Sequence, residues 1–189
     1  MSPSISGWHA APPAAVDLRS LFDSQYASVW RLLKRLGVRT AQLDDAAQEV
    51  FWVAARRLQD IQPGRERAFL YGVALRVAMN EQRRVKATAW LAPVEQCPEI
   101  ADEAATPEAL VEQREARALL DRVLNQLPIE LRSVLVLYEL EGLEIRQIAE
   151  LEGVPLGTAG SRLRRAREEF SAHAKRVRAT LQARGAGRR

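Results

Sequence analysis

Apolar side chains return every three or four positions in several blocks of the chain, which is the spacing of one face of an α-helix. Short polar stretches, glycines and prolines separate the blocks. No block alternates apolar and polar residues in the way that a half-buried strand does. The pattern therefore predicts an all-α protein, with helices over residues 18–36, 42–58, 68–84, 116–127, 129–140, 144–151 and 156–170.

Proline and acidic residues divide this helical pattern into two halves. Residues 91–107 hold three prolines and little apolar periodicity, which is typical of a linker. We expect two small helical domains, at residues 17–90 and 116–175, joined by a flexible acidic linker at residues 91–115. Residues 176–189 are expected to form a mobile basic tail, and residues 1–16 are expected to be disordered.

Charge is unevenly distributed along the chain, although the formal net charge is only +4. Residues 95–115 hold seven acidic residues and one arginine, whereas residues 162–189 hold ten cations and two acids. Two interpretations are open at this point. The segments are either a solvated linker and tail, or a spacer that avoids nucleic acid followed by an end that binds it.

The composition argues against several classes of protein. Cys97 is the single cysteine, so no internal disulfide can form, and we expect this linker residue to be inert. His9 and His173 lie at opposite ends of the chain, so neither a zinc site nor any cofactor is expected. No apolar run approaches the ~20 residues of a membrane helix, and the first residues lack a secretory signal. These features predict a cytoplasmic chain that is not inserted in a membrane.

Residues 144–170 have the signature of a helix-turn-helix. Ala149 is small where two helices would cross, and Gly153 lies where the turn needs a positive φ. The second helix is crowded with arginines, which can bind guanine edges or phosphates. An ordinary helical hairpin with a solvated charged face is the alternative, but four arginines within six residues favour DNA binding. The candidate contacts are Thr158, Ser161, Arg162, Arg164, Arg165 and Arg167.

At this point the sequence resembles a known family, the extracytoplasmic-function (ECF) branch of the bacterial sigma-70 factors. The second half is similar to sigma region 4, and the first half is similar to sigma region 2, in the family's order. The region 4 resemblance rests on Leu127-Pro128, the apolar run at 134–137, Glu141-Gly142-Leu143, Ile148-Ala149, Gly157-Thr158, Ser161-Arg162-Leu163 and Ala166-Arg167. The region 2 resemblance rests on Asp44-Asp45, Ala47-Gln48-Glu49-Val50-Phe51, Phe69-Leu70-Tyr71 and Ala74.

This resemblance implies a non-enzymatic protein that binds core RNA polymerase and directs it to promoter DNA. Core polymerase would be bound by Asp44, Asp45, Gln48, Glu49 and Phe51. The −10 element would be contacted by Arg65, Arg67, Arg76, Asn80, Arg83 and Arg84, and the −35 element by the helix-turn-helix candidates. Many members are held inactive by an anti-sigma factor, so such a partner is expected as well.

The four arginines of the second helix cannot all face one groove, because a helix turns about 100° per residue. Arg162 and Arg165 share a face, as do Arg164 and Arg167. Leu163 lies between them and is expected to pack on the preceding helix. The resemblance favours Arg162 and Arg165 as the pair that faces DNA.

Some residues depart from the family's pattern, and two other functions stay open. Gly72 replaces a common arginine, Arg76 stands where asparagine is frequent, and Gly160 stands where lysine is common, which leaves the promoter sequence open. A helix-turn-helix regulator that does not join polymerase is the main alternative. A serine recombinase is a weaker one, because it would need a parallel sheet and the first half has no strand-like runs.

Overall fold

The computed structural model describes residues 16–88 and 107–186, and side chains within 16–85 and 116–180. These ranges contain seven α-helices and no strand, which confirms the prediction of an all-α protein. Cys97 and the predicted disorder before residue 16 lie outside them. The helices are α1 (Leu18–Arg35), α2 (Thr40–Arg56), α3 (Glu66–Thr88), α4 (Pro107–Leu124), α5 (Ile129–Leu135), α6 (Ile145–Glu152) and α7 (Leu156–Ala186).

The first three helices pack side by side and form the first domain. α1 begins after Asp17, whose Oδ2 accepts a hydrogen bond from the Ser20 backbone N–H at 2.9 Å and so caps the helix. Gly37, with a φ of +90°, turns the chain toward α2. The apolar stripes that the sequence predicts meet in the middle, where Leu33 and Leu70 are fully buried.

The second domain is built from α4 to α7. α5 runs into a wider π-helical turn at Val136–Leu140, in which the Glu141 backbone N–H donates to the Val136 carbonyl at 3.1 Å. Gly142, with a φ of +71°, then redirects the chain toward α6. Such π-helical turns are rare in proteins, but those that occur are often found at functional sites.

Several helix boundaries differ from the predicted ones. The helical segment over 129–140 has the predicted bounds, but its last five residues, Val136–Leu140, form a π-helical turn in place of regular α-helix. α4 begins at Pro107, inside the predicted linker, because proline suits the first turn of a helix. α7 continues to Ala186, so the segment from residue 176 that was assigned to a basic tail is helical as far as that residue. No glycine or proline lies between Ser161 and Arg184 to stop this helix.

The two domains pack against each other and share one continuous apolar core. Gly72 of α3 is the point of closest approach to α6: a methyl group there would lie 3.0 Å from Leu151 Cδ2. Lys34 Nζ pairs with Asp121 across the same interface at 3.3 Å. The close packing at Gly72 explains why a large side chain is absent at this position.

Candidate nucleic-acid and polymerase interfaces

The helix-turn-helix is formed by α6, the turn at Gly153 and the first part of α7. Gly153 has φ +66° and ψ +35°, the left-handed conformation predicted for it. At the other end of α6, the Glu144 backbone N–H donates to the Gln147 side-chain oxygen at 2.9 Å. Ala149 and Leu163 are buried, so the face of α7 that the sequence predicts to pack inward does so.

Two of the four candidate arginines on α7 have highly exposed side chains. Arg164 and Arg165 have 73% and 67% of their side-chain surface exposed, and each pairs at 2.8 Å with an acid one turn later, Glu168 or Glu169. Exposed pairs of this kind hold their partners weakly, so both guanidinium groups are available to another anion. Gly160 adjoins them and has open space around it, which leaves the backbone accessible.

Arg162 is held differently. Its Nη1 lies 2.8 Å from Glu152 Oε2, and the Ser133 hydroxyl donates to the other oxygen of the same carboxylate at 2.5 Å. The Glu152 side chain is only 1% exposed, and this burial raises its pKa. A guanidinium that neutralises a buried carboxylate is costly to remove, so in this structure Arg162 joins α7 to the rest of the domain.

Arg167 flanks the opposite side of α7. Its Nη2 lies 2.7 Å from a Glu139 oxygen, and its guanidinium lies over the Tyr138 ring at 5.2 Å. The remaining candidates are at the start of the helix, where the Ser161 hydroxyl donates to the Thr158 carbonyl at 2.9 Å. All six candidates therefore lie on one helix; Arg164 and Arg165 are the most exposed of the four arginines, Arg167 is about half exposed, and Arg162 is the one held against a buried acid.

The predicted polymerase-binding residues lie on α2 but divide into two groups. Asp45, Gln48 and Glu49 are exposed. Asp44 is exposed as well, but it also has a role within the fold, because it accepts a hydrogen bond from Trp30 Nε1 at 3.0 Å. Phe51 is buried, with its ring in contact with other aromatic rings of the first domain.

Trp52 is a residue that the motif comparison did not select. Its exposed fraction is 66%, and it continues the stripe of Asp45, Gln48 and Glu49 at helical spacing. A large exposed aromatic side chain beside acids is typical of a protein-binding surface. The signal was present in the sequence, since Trp52 falls on the polar face of the predicted helix.

Most of the predicted −10 contacts lie along an exposed side of α3. Arg76, Asn80 and Arg83 follow one another at helical spacing and are exposed, as are Arg65 just before the helix and Arg84. Arg84 pairs with Glu81 of the same helix at 2.8 Å. These side chains form a cationic strip on the first domain.

Arg67 differs from the other −10 candidates because it contacts the second domain. Its Nη2 lies 3.0 Å from Glu141 Oε2, and Arg35 Nη1 lies 2.9 Å from Glu141 Oε1. The Tyr71 hydroxyl donates to the same carboxylate at 2.5 Å. The Glu141 side chain is 7% exposed, so three donors of the first domain surround one nearly buried acid of the second.

Tyr71 stays protonated in this cluster. Its burial raises the pKa to about 12, and the hydrogen bond to Glu141 acts in the same direction. The hydroxyl also accepts a hydrogen bond from Arg67 Nε at 2.9 Å. Sequence reasoning missed this arrangement, because Glu141 is 70 residues away from Tyr71 along the chain.

Within the described ranges there is no cluster of three or more histidine, cysteine, aspartate or glutamate side chains that could hold a metal ion. Among the same residues, no helix has the length and apolar character to cross a membrane.

Comparison with protein families defines the class. Residues 21–88 match Sigma-70 region 2, and residues 117–170 match Sigma-70, region 4. The two matches occur in the order that the sequence motifs indicated, and together they cover more than half of the chain. The chain belongs to the sigma-70 family.

Individual relatives agree with this assignment. The chain is 31% identical over 142 residues to the ECF RNA polymerase sigma factor SigE of Mycolicibacterium smegmatis, which covers 75% of this chain and 55% of the relative. It is 41% identical over 66 residues to the ECF RNA polymerase sigma-E factor of Escherichia coli K12, which covers 35% of each protein. The chain thus spans about half, or less, of the length of these relatives.

Two solved structures share the fold. The structure of CnrH in complex with the cytosolic domain of CnrY has a TM-score of 0.60 at 21% identity, over 82% of this chain and 85% of that one. The sigma factor RpoE in complex with the anti-sigma factor NepR, from Bartonella quintana, has a TM-score of 0.67 at 16% identity. That match covers 84% of this chain and 97% of RpoE.

Proposed function

We propose that this protein is an ECF sigma factor that binds core RNA polymerase, recognises −10 and −35 promoter elements, and initiates transcription of a specific set of genes. The observation that carries the proposal is the presence of two matched regions on one chain, each with an exposed surface suited to its task. Its role is to recruit and position, with no catalytic step of its own. Since bacterial promoters are transcribed in the cytoplasm, the protein is proposed to act there.

The proposed −35 contact is made by the start of α7. Arg164 and Arg165 face outward and can pair with guanine edges or with phosphates. Ser161 and Thr158 lie at the same end of the helix, where hydroxyl groups can bind the DNA backbone. Arg162 would support the helix through its pair with the buried Glu152, which modifies the preference for Arg162 that the family resemblance suggested. Arg167, whose pair with Glu139 is exposed, stays a candidate contact.

The proposed −10 contact is made by the cationic strip on α3 and by Arg65. A separated DNA strand is held in part by backbone charge and by cation–π contacts between arginines and bases, and a helix with spaced arginines offers both. Arg76, Asn80 and Arg83 supply these groups along one side of α3.

Core polymerase is proposed to dock on the stripe of Asp45, Gln48, Glu49 and Trp52. Acids at the rim guide the approach of a basic partner, and a desolvated tryptophan supplies much of the binding energy. Phe51 would contribute indirectly, because its buried ring fixes the position of α2 in the first domain. Asp44 would contribute through its hydrogen bond from Trp30.

An anti-sigma factor is the remaining proposed partner. The support for it is that RpoE, a protein of the same fold, was solved with an anti-sigma factor. Purification of the chain from its native host under non-inducing conditions tests for a bound small protein.

Reconstituted transcription tests the proposed function. The chain is added to bacterial core polymerase with a library of promoter fragments, and the transcripts are sequenced. The proposal predicts start sites that share two common elements and that depend on the added chain. A regulator that does not join polymerase would bind DNA fragments in the same library but would neither bind core polymerase nor start transcripts.

A further inference from the structure

The π-helical turn at Val136–Leu140 carries a tyrosine beside α7. Val136 and Leu137, at the start of the turn, are fully buried, whereas Tyr138 is 36% exposed. The phenol ring is therefore carried by a well-packed segment and is still open to solvent. The turn lies outside the helix-turn-helix of α6 and α7, and the −35 contact proposed above does not include it.

Arg167 connects this tyrosine to α7. Its guanidinium lies over the Tyr138 ring, 5.2 Å from the ring centroid, and its Nε donates to Glu139 Oε1 at 2.8 Å. These two contacts with one turn fix the direction in which the arginine points. The Arg167 side chain is still 53% exposed, so its guanidinium keeps surface for a further anion.

Arg164 shows that this pair lies on a side of α7 that is proposed to meet DNA. Arg164 and Arg167 are three positions apart and share a face of the helix, on which Arg164 is 73% exposed. Gly160, one turn before Arg164, has open space where its Cβ would be. A duplex can therefore approach the backbone of α7 closely, and this approach also brings the turn that carries Tyr138 toward the duplex.

The chemistry of the pair suits a phosphate. A tyrosine hydroxyl and a guanidinium are both donors, and the oxygens of the DNA backbone are charged acceptors at the rim of the major groove. The major groove is about 12 Å wide and is filled by a single helix. A side chain from an element beside that helix therefore meets the rim of the groove, whereas the base edges are left to α7.

We propose that the Tyr138 hydroxyl and the Arg167 guanidinium together bind one backbone phosphate at the edge of the −35 element. The proposal rests on the proposed function for the identity of the DNA. Tyr138 extends the −35 surface from α7 onto the π-helical turn, and its ring orients Arg167. The contact adds affinity for every −35 sequence alike, because a phosphate carries no base identity.

Tyr138→Phe tests the hydroxyl, because it keeps the ring beneath Arg167 and removes only the donor. Tyr26→Phe is the matched control: it removes one tyrosine hydroxyl from the first domain, where that group lies 3.3 Å from Asp44 Oδ1. A duplex is first selected from a random-sequence pool by the full-length parent, alone and with core polymerase. Binding of this duplex is then measured with one phosphate at a time replaced by an uncharged methylphosphonate. Circular dichroism verifies that the helix content of each variant is unchanged.

One methylphosphonate position is expected to weaken binding by the parent and by Tyr26→Phe about tenfold. The same replacement should weaken binding by Tyr138→Phe or Arg167→Ala no more than about threefold, because one donor of the pair is already missing. On the unmodified duplex, both variants should bind about three- to tenfold more weakly than Tyr26→Phe, and equally so for duplexes with single-base changes.

Four results would overturn the proposal. The first is binding by Tyr138→Phe equal to that of Tyr26→Phe, and the second is a loss confined to one base variant. The third is sensitivity of Tyr138→Phe and Arg167→Ala at different phosphates, because the two donors would then not share one. The fourth is a parent that selects no duplex either alone or with core polymerase.

Transcription by the parent separates this proposal from the proposed function. If the parent initiates transcription with core polymerase and Tyr138→Phe binds the duplex like its control, only the phosphate contact fails. If the parent selects a duplex with the Tyr138-dependent phosphate but neither binds core polymerase nor initiates transcription, only the sigma function fails.

Discussion

The guanidinium of Arg132 lies against the end of α1, where its Nη1 donates to the Leu36 carbonyl at 2.9 Å. Its Nη2 donates to the carbonyls of Asn125 and Leu127, so this buried arginine of the second domain also fixes the loop before α5. Burial lowers the pKa of Arg132 to about 10, yet the side chain keeps its proton at neutral pH. Gly37 leaves the space that this contact needs, because a Cβ there would collide with Arg132 Nη1.

Gly37→Ala is therefore expected to destabilise the protein more than Gly64→Ala does. Both glycines have a similar positive φ, +90° and +83°, but Gly64 has no atom near its missing Cβ. The backbone strain costs about 1–2 kcal/mol at either position, and the collision with Arg132 adds roughly 1–3 kcal/mol at Gly37. Denaturant unfolding of the two variants measures the difference. Equal losses would show that the Arg132 contact adjusts without cost.

The pair of Glu152 and Arg162 predicts a dependence of stability on pH. Burial raises the pKa of Glu152 in the folded state above the ordinary value of a glutamate, 4.5, so the folded chain holds this proton more tightly than the unfolded chain. The stability that this proton contributes is complete below about pH 4.5 and is lost as the pH rises through the folded pKa. The free energy of unfolding of the parent, relative to Glu152→Gln, should therefore fall as the pH rises above about 4.5. A stability difference between the parent and Glu152→Gln that stays constant or rises with pH would contradict the raised pKa of Glu152.

Alanine substitutions in α7 should separate supporting arginines from DNA-contacting ones. Arg162→Ala leaves Glu152 with only Ser133, and we expect it to lower the free energy of unfolding by about 1–3 kcal/mol. Arg164→Ala and Arg165→Ala should leave stability within about 0.5 kcal/mol and weaken −35 binding by roughly 1–3 kcal/mol if they read a base. Binding to duplexes with single-base changes at several salt concentrations distinguishes base contacts, which relax one position, from phosphate contacts, which flatten the salt dependence. If both outward arginines can be removed without effect on any duplex, this end of α7 does not read the −35 element.

Trp52→Ala is expected to weaken binding to core polymerase by at least about tenfold, as removal of a central aromatic residue does in other interfaces. Reversal of charge at Asp45 and Glu49 should weaken it as well, and with a stronger dependence on salt. Asp23→Lys on α1 provides a control, since this exposed acid lies in the same domain outside the α2 stripe. Equal affinities for the Trp52 variant and the control would remove Trp52 from the docking surface.

The helices and the helix-turn-helix could be predicted from the sequence because they depend on local periodicity and on a few turn residues such as Gly153. The family motifs then indicated both sigma regions. Contacts between distant residues were beyond this reasoning: nothing near Glu141 in sequence reveals Arg35 or Tyr71, and nothing near Arg162 reveals its buried partner Glu152. Phe51 and Trp52 show a related limit of motif comparison. The motif selected Phe51, but the fold buries Phe51 and exposes Trp52, so only Trp52 can contact a partner directly.

The length of α7 has a mechanical consequence. Its 31 residues extend about 46 Å at about 1.5 Å per residue, and its first part is clamped by Leu163 and Ala166, whereas Lys175, Arg176 and Arg178 on its second part are exposed. A rotation of its buried first part, in the helix-turn-helix, would therefore be transmitted along the whole helix. A tilt of about 10° at its first turns would move the far end, about 30 Å beyond Ala166, by roughly 5 Å. A probe attached at the far end would therefore report small changes in the orientation of the proposed −35 contact.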